Sequence, residues 1–379
     1  MKKLTELDLK NKTVLLRCDF NVPISLNGEI LDDFRIREAV PTIEYLIKQN
    51  AKVILMSHLE TKYKNYSLNL IVLKLNELLN QKIEIITDYL EKSGQEKIEK
   101  LRLGQIVLLE NLRFHKEEKE NDGKFAKKIS QLGEVFVNEA FSVSHREHAS
   151  IVSISKYLPG AVGLLFAREL EILSKILNNP KHPFVVIIGG IKVKTKIKTI
   201  LNLLKKSDHL LVGSKIGETI LAQKGILKQR KFDKEESMSQ IDLTNLKIHL
   251  PLDAIIASKG VKNSLKKRAI GAVMIEEDIY DIGPETIKVF KKIIKQAKTI
   301  LWNGPLGMYE DKRFEKGTKE VLEAIINNNS AFKVAGGGET LLAINKFHSK
   351  KGFDFLSTGG GAMLEFLAGE RLVGIEALR

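Results

Sequence analysis

Lys192 and Lys196 stand four residues apart in GGIKVKTKI, directly after an apolar run and two glycines. On a helix this spacing puts both ammonium groups on one face of the first turns, where free backbone amides favour anions. Val193, Ile197 and Ile200 are then the expected buried stripe, and Lys194 and Lys198 the solvated charges. A second cationic set is spread through the first half: Arg35, Arg113 and Arg146, with His58, His145 and His148, which would gather along one edge of a parallel sheet. One arginine is usually a surface charge, but several at successive strand ends suit bidentate binding of phosphate or carboxylate. Two glycine triplets complete the set, in KVAGGGETLLAI (333–344) and FDFLSTGGGAMLEFL (353–367). Glycine weakens a helix start, so its use there points to a backbone that must come close to something.

What is missing narrows the chemistry. There is neither GxxxxGK[ST] nor GxGxxG, the histidines lack metal-ligand spacing, and Cys18 reads as inert strand packing. Clustered positive charge without a nucleophile constellation suits transfer of a phosphoryl group, which needs mainly positioning and charge.

The elements that must hold these residues alternate regularly. TVLLR (13–17), KVILMSH (52–58), QIVLLENL (105–112) and EVFVNEAF (134–141) read as strands, with helical patterns such as RIREAVPTIEYLIK and SLNLIVLKLNELL between them. PFVVIIGG, DHLLVGS, KTILWNGP, FKVAGGG and DFLSTGGG repeat the theme in the second half. Continuous Val, Ile and Leu runs suit parallel strands buried on both faces, with ligands at their carboxyl ends. The boundary is expected near KYLPGAVG (156–163), followed by a long joining helix, LLFARELEILSKILNN, able to act as a hinge lever.

Composition sets the outer limits. The 379 residues are too many for one compact core, and 43% hydrophobic with 28% charged residues is ordinary for a soluble chain. No apolar run is long enough to span a membrane, and MKKLTELDLKNK lacks the apolar stretch of a signal peptide. A single cysteine fits a reducing cytoplasm. The net charge of +14 invites a nucleic-acid reading. Many lysines fall on the outer faces of amphipathic segments such as KVFKKIIKQAK (288–298), however, and aromatics are only 6%, so an anionic small substrate is the better expectation and no specific nucleic acid is expected.

Taken in order, RCDFNVP, the Arg of DDFRIREAVP, SHL, LLENLRFH, NEAFSVSHREHAS, PFVVIIGGIKV, DIGPET, TILWNGPLGMYE, FEKGT, GGGET and STGGGA closely resemble phosphoglycerate kinase. The likeness runs from about residue 4 to the C-terminus.

The resemblance implies an α/β chain of two doubly wound, Rossmann-like parallel-sheet domains: 1–158 for the glycerate ligand and 179–362 for the nucleotide. Residues 159–178 would form the hinge helix, and about 363–379 would pack back on the first domain. It implies reversible, magnesium-dependent phosphoryl transfer between 1,3-bisphosphoglycerate and ADP, giving 3-phosphoglycerate and ATP in glycolysis, in a cytoplasmic monomer whose closure excludes water. Carried over, Asp19, Asn21, Arg35, His58, Arg113 and Arg146 would bind the acid, with Thr61 where the family has a ligand-binding Arg. Arg35 and Lys192 would stabilise the group in flight, helped by the helix starts at Gly338 and Gly361. Gly190, Lys192, Lys196, Gly213, Ile279, Pro305, Gly307, Glu310, Gly337, Gly338, Glu339 and Thr340 would form the nucleotide site: Glu310 at the ribose, Gly337, Gly338 and Thr340 at the phosphates, Glu339 at the magnesium.

Several of these positions depart from the family pattern. SHLGRP is SHLETK, so Glu60 and Thr61 replace Gly and Arg, and Lys62 or Lys64 would compensate. NDAFGTAHR is NEAFSVSHR, GGAKV is GGIKV with Ile191 beside the nucleotide, an Asp is Thr195, a Gly is Ile279, and GGGDT is GGGET. Two other readings therefore stay open: a divergent paralogue with an altered acid substrate or weakened nucleotide site, and a non-catalytic anion-binding protein.

Overall fold

In a computed structural model, residues 1–25, 27–61, 64–227, 238–258 and 261–379 are described. The chain divides into two compact units, Met1–Glu171 with Arg371–Arg379, and Ile172–Glu370.

The first unit is built on β1 (Thr13–Arg17), β2 (Lys52–Met56), β3 (Glu84–Ile86), β4 (Ile106–Leu109), β5 (Val135–Asn138) and β6 (Gly160–Val162), in the order β3-β4-β2-β1-β5-β6. Every pairing in it is parallel. Central strands in such a sheet are covered on both faces: Val14, Leu15 and Leu16, and Val53, Ile54 and Leu55, are fully buried. Each such side chain contributes about 1.5–3 kcal/mol of apolar burial, and this is why unbroken Val/Ile/Leu runs rather than alternating ones mark these strands. Helices α1 (Phe34–Lys48) and α2 (Asn69–Leu79) return the chain between strands and bury Ile36, Ile43 and Leu46, and Ile71 and Leu75. The returning C-terminal stretch, Arg371–Arg379, is shorter than the 363–379 expected; there the Gly374 amide donates to the Ser144 carbonyl at 2.8 Å.

The second unit repeats the plan with β7 (Phe184–Ile188), β8 (His209–Val212), β9 (Ile248–His249), β13 (Thr299–Asn303), β14 (Phe332–Gly336) and β15 (Phe355–Ser357), ordered β15-β14-β13-β7-β8-β9 and again parallel. To this it adds something that the alternation of strands and helices does not announce. The strands β10 (Asp253–Ser258), β11 (Val261–Ala269) and β12 (Glu277–Ile282) form an antiparallel sheet with β10 in the centre. Ala254, Ile256 and Ile270 bury against Leu221 and Leu227 beneath it.

The helix expected from LLFARELEILSKILNN is α6 (Leu164–Asn178). Its first turn is held by Glu139, at the end of β5: the carboxylate accepts from the Leu165 and Phe166 amides, both at 3.1 Å, and from the Thr42 hydroxyl. These are amides that a helix start leaves unsatisfied. Burial raises the Glu139 pKa from 4.5 to about 7, against the lowering effect of these donors. The folded chain therefore keeps a proton that the unfolded chain releases near pH 4.5. The stabilisation linked to that proton is complete below 4.5 and is lost as the pH rises through 7. Denaturant titrations from pH 4 to 8 are expected to show this decline in the wild type and a shallower one in Glu139→Gln. Equal slopes would remove Glu139 as the source.

Candidate functional site

In the first unit the polar groups collect past the carboxyl ends of β1, β2, β4 and β5. Arg35 Nη1 lies 2.8 Å from Asp19 Oδ2 and donates to the Asn21 carbonyl at 2.9 Å. Asp19 also accepts from the Asn21 amide at 3.0 Å and from the Ser142 hydroxyl. Burial alone would raise its pKa; Arg35 and these donors outweigh burial and hold the carboxyl well below the usual range. Asp19 is thus a fixed negative charge that orients Arg35.

His58 is buried and presents one defined tautomer. Its Nδ1 lies 3.2 Å from Arg17 Nη2. Guanidinium has only donors, so Nδ1 accepts and the ring proton sits on Nε2. Burial pushes the imidazole pKa well down, with Asp19 opposing and Arg17, Arg113 and Arg146 reinforcing the shift. His58 is therefore a neutral hydrogen-bond donor. Arg17, an unexpected charge in an apolar strand, is wholly buried and ties the layer together through Ser150 (2.8 Å), His58 and the Cys18 carbonyl. Cys18 is itself buried, as its strand position suggested.

Arg113 is buried as well, while Arg146 is exposed. Burial, together with Arg17 and Arg146, lowers the Arg113 pKa to about 9. Glu60 forms an ion pair with Arg113 and a second, at 2.9 Å, with Lys119. Among the described residues the lysine paired with Glu60 is thus Lys119. Lys64 lies over the Tyr66 ring instead, 5.3 Å from its centroid, and Lys62 falls outside the described residues. Thr61 is exposed, its amide bonded to the Lys64 carbonyl at 2.8 Å.

Two of the cavities in the second unit meet at one residue. A cleft of about 450 Å³ is walled by Gly190, Ile191, Ile279, Pro305, Leu306 and Gly307, with Ser214, Lys215, Glu218, Glu310 and Glu339 supplying polar groups. A pocket of about 300 Å³ is lined by Lys192, Thr195, Lys196, Asn303, Gly304, Gly337, Gly338, Glu339, Thr340, Gly360 and Gly361. Glu339 belongs to both. The first is mostly apolar, as a planar base requires. The second sets two lysines, Thr195, Thr340 and Asn303 among glycines, with the starts of α11 (Gly338–Lys346) and α12 (Gly361–Leu367) in its wall. Both glycine triplets thus open into the same pocket.

Two expectations change here. Lys192 and Lys196 share this pocket but not a helix face. The chain turns through a short 3-10 segment, Lys194–Lys196, and α7 (Ile197–Lys206) begins after it. Lys192 is exposed and Lys196 buried, and the buried stripe is Val193, Lys196, Thr199 and Ile200, with Ile197 only half-buried. Lys196 Nζ donates to the Gly189 carbonyl at 2.6 Å and lies 3.4 Å from that of Asn303, joining the ends of β7 and β13. Burial lowers its pKa to about 8, with Glu339 opposing and Lys192 adding to the shift.

Gly213 is the second. It caps α8 (Ser214–Gln223), packed so closely that a Cβ would stand 2.7 Å from Leu306 Cδ2, and it is Ser214 that lines the cleft. Asp281 was not anticipated. It lines the cleft and accepts from the Gly317 amide at 2.6 Å and the Ile282 amide at 2.9 Å, and burial raises its pKa to about 7.

The fit to magnesium rests on Glu339. No group of three His, Cys, Asp or Glu among the described residues could hold a metal. One carboxylate at the mouth of a phosphate-sized pocket suits an ion that arrives with phosphates and keeps most of its water.

Comparison with known proteins points one way. The family model described as Phosphoglycerate kinase matches residues 4–370. A phosphoglycerate kinase of Dictyoglomus turgidum is 41% identical over 388 residues, which take in 99% of this chain and 98% of the relative. The solved structure of phosphoglycerate kinase from Coxiella burnetii superposes with a TM-score of 0.83 at 36% identity, over 100% of this chain and 98% of that one. The crystal structure from Pyrococcus horikoshii gives 0.87 at 32% identity with the same coverage.

Proposed function

The chain belongs to the phosphoglycerate kinase family, and we propose how its own residues divide the phosphoryl transfer that defines that family. It is a phosphotransferase acting between ADP or ATP and the phosphoglycerates. The first unit takes the acid. Arg35, held by Asp19 and the Asn21 carbonyl, meets the acyl phosphate; His58 offers its Nε2 proton; Arg113 and Arg146 supply charge for the distal phosphate. The second unit takes the nucleotide. The base lies in the apolar cleft between Ile191, Ile279 and Pro305, the ribose reaches Glu310, and the phosphates enter the glycine-lined pocket.

The observation that carries this reading is the meeting of an apolar cleft and a lysine- and glycine-lined pocket at Glu339. Magnesium, bound with the nucleotide beside Glu339, would neutralise phosphate charge. Lys192 is exposed in that pocket, whereas Lys196 is committed to two carbonyls. Lys192 is therefore the ammonium that follows the transferring group, and the amides at Gly338 and Gly361 receive charge as it develops. Action as a monomer in the cytoplasm is part of the proposal, and the single cysteine suits that reducing compartment.

The test is turnover. Purified protein with ATP, magnesium and 3-phosphoglycerate, coupled to glyceraldehyde-3-phosphate dehydrogenase, is expected to consume NADH well above a Lys192→Ala control. Equal rates in the two would end the reading.

A further inference from the structure

The loop SHLETK, which departs from the family's SHLGRP at three successive positions, places its acid with some care. The Glu60 amide donates to Asn21 Oδ1 at 3.0 Å, and Glu60 pairs across an antiparallel bridge with Asn65. Asn65 Nδ2 in turn donates to the Arg113 carbonyl at 2.8 Å. Backbone on both sides therefore fixes where the Glu60 carboxylate lies, and that is against the Arg113 guanidinium. All three guanidinium nitrogens of Arg113 are buried and, among the described residues, have no hydrogen-bond acceptor, so the contact with Glu60 neutralises charge without satisfying the fork. A buried guanidinium left in this condition favours any oxyanion able to engage it through two parallel bonds. Lys119 already touches the other Glu60 oxygen and is half exposed, so it can keep the carboxylate when Arg113 is taken.

We propose that Glu60 is a tethered competitor for Arg113: its carboxylate occupies the guanidinium until the phosphate of the acid substrate displaces it toward Lys119, so that Glu60 sets the affinity for that acid. This rests on the assignment of the acid to the first unit. In effect the chain supplies its own anion to the place where the ligand's anion belongs, and binding is an exchange of one carboxylate for one phosphate. The exchange weakens affinity for the acid. It also spares the ligand-free protein a buried unpaired charge, since removing one partner of such a pair is costly.

Glu60→Gln keeps the shape of the loop and removes the competing charge. The KM for 3-phosphoglycerate is expected to fall by about tenfold, the scale of one charge-assisted hydrogen bond, with the change borne by KM rather than kcat. The ligand-free variant is expected to melt lower than the wild type, and 3-phosphoglycerate to raise its Tm by more than it raises the wild type's. Glu60→Asp, which keeps the charge, should stay near the wild-type KM. Arg113→Gln provides the reference. If it raises KM while Glu60→Gln leaves KM unchanged or raises it, the competitor role is overturned and the functional reading stands. If the wild type neither turns over nor is stabilised by 3-phosphoglycerate, both fall.

Discussion

Lys192→Ala is expected to lower kcat by about 10²–10³, the usual cost of removing one group aimed at transition-state charge, while the protein melts at the wild-type temperature. The stability half of this expectation follows from exposure: Lys192 is in contact with solvent, and its ammonium holds no strand in place. Lys196→Met should behave in the opposite way. Its ammonium ties the Gly189 carbonyl to that of Asn303. Losing it strands the buried Gly189 carbonyl at about 1–3 kcal/mol, while the Asn303 carbonyl keeps the Gly189 amide, so the fold weakens, with activity following in proportion to the loss of folded, nucleotide-competent protein. Pre-steady-state transfer and thermal melts on both variants decide the matter. If Lys196→Met keeps its Tm and loses kcat while Lys192→Ala keeps kcat, the two roles are exchanged. A third measurement separates charge from packing: with a pKa lowered to about 8 by burial, Lys196 loses its proton over an alkaline range in which an exposed lysine stays charged. Nucleotide KM should rise through that range in the wild type and stay flat in Lys196→Met.

The confusion of those two lysines in the sequence has a physical origin that extends to other residues. A four-residue spacing marks one face only if the helix has already begun, and here it has not: the chain first turns through Lys194–Lys196. The strands raise no such difficulty. Thr13–Arg17 and Thr299–Asn303 are legible because parallel strands covered on both faces must be apolar without interruption. Strand Val261–Ala269 reads VKNSLKKRA, a pattern that also fits a solvated face, and nothing local separates the two. Its pairing partners lie on strand Asp253–Ser258, and it is that long-range pairing which makes it a strand. The ion pair of Glu60 with Arg113 is hidden for the same reason, since it joins residues on different strand ends. The sequence shows an acid near an anion site, but not which cation it takes. Glycines are intermediate cases: a triplet signals close backbone approach, whereas what is approached depends on tertiary packing. Gly338 meets open space and Gly213 meets Leu306.

That difference among glycines leads to the second large effect, Gly304→Ala. Gly304 has φ +94°, a backbone region that costs an L residue about 1–3 kcal/mol. A Cβ there would also stand 2.2 Å from the Gly189 carbonyl oxygen and 2.7 Å from Lys196 Nζ. The lysine end could shift, but the carbonyl belongs to backbone fixed by the Gly189 amide's own bond to the Asn303 carbonyl, 3.0 Å. Neither end of the contact can yield without parting β7 from β13 at the floor of the phosphate pocket. Strain and overpacking together are expected to remove about 3–5 kcal/mol, a large part of the 5–15 kcal/mol typical of a folded domain. Denaturant titration should show the second unit unfolding at a much lower midpoint, with ADP recovering only part of the loss because the pocket it needs is the part displaced. Gly338→Ala is the control: its φ is ordinary and its Cβ meets nothing within 4 Å, so stability should hold while the added methyl, standing in the phosphate pocket, raises nucleotide KM. If Gly304→Ala melts with the wild type, the close packing of β7 against β13 is not what shapes that pocket. If instead Gly338→Ala leaves nucleotide KM unchanged, the phosphates do not pass the first turn of α11, and the work assigned to the first glycine triplet falls to the second.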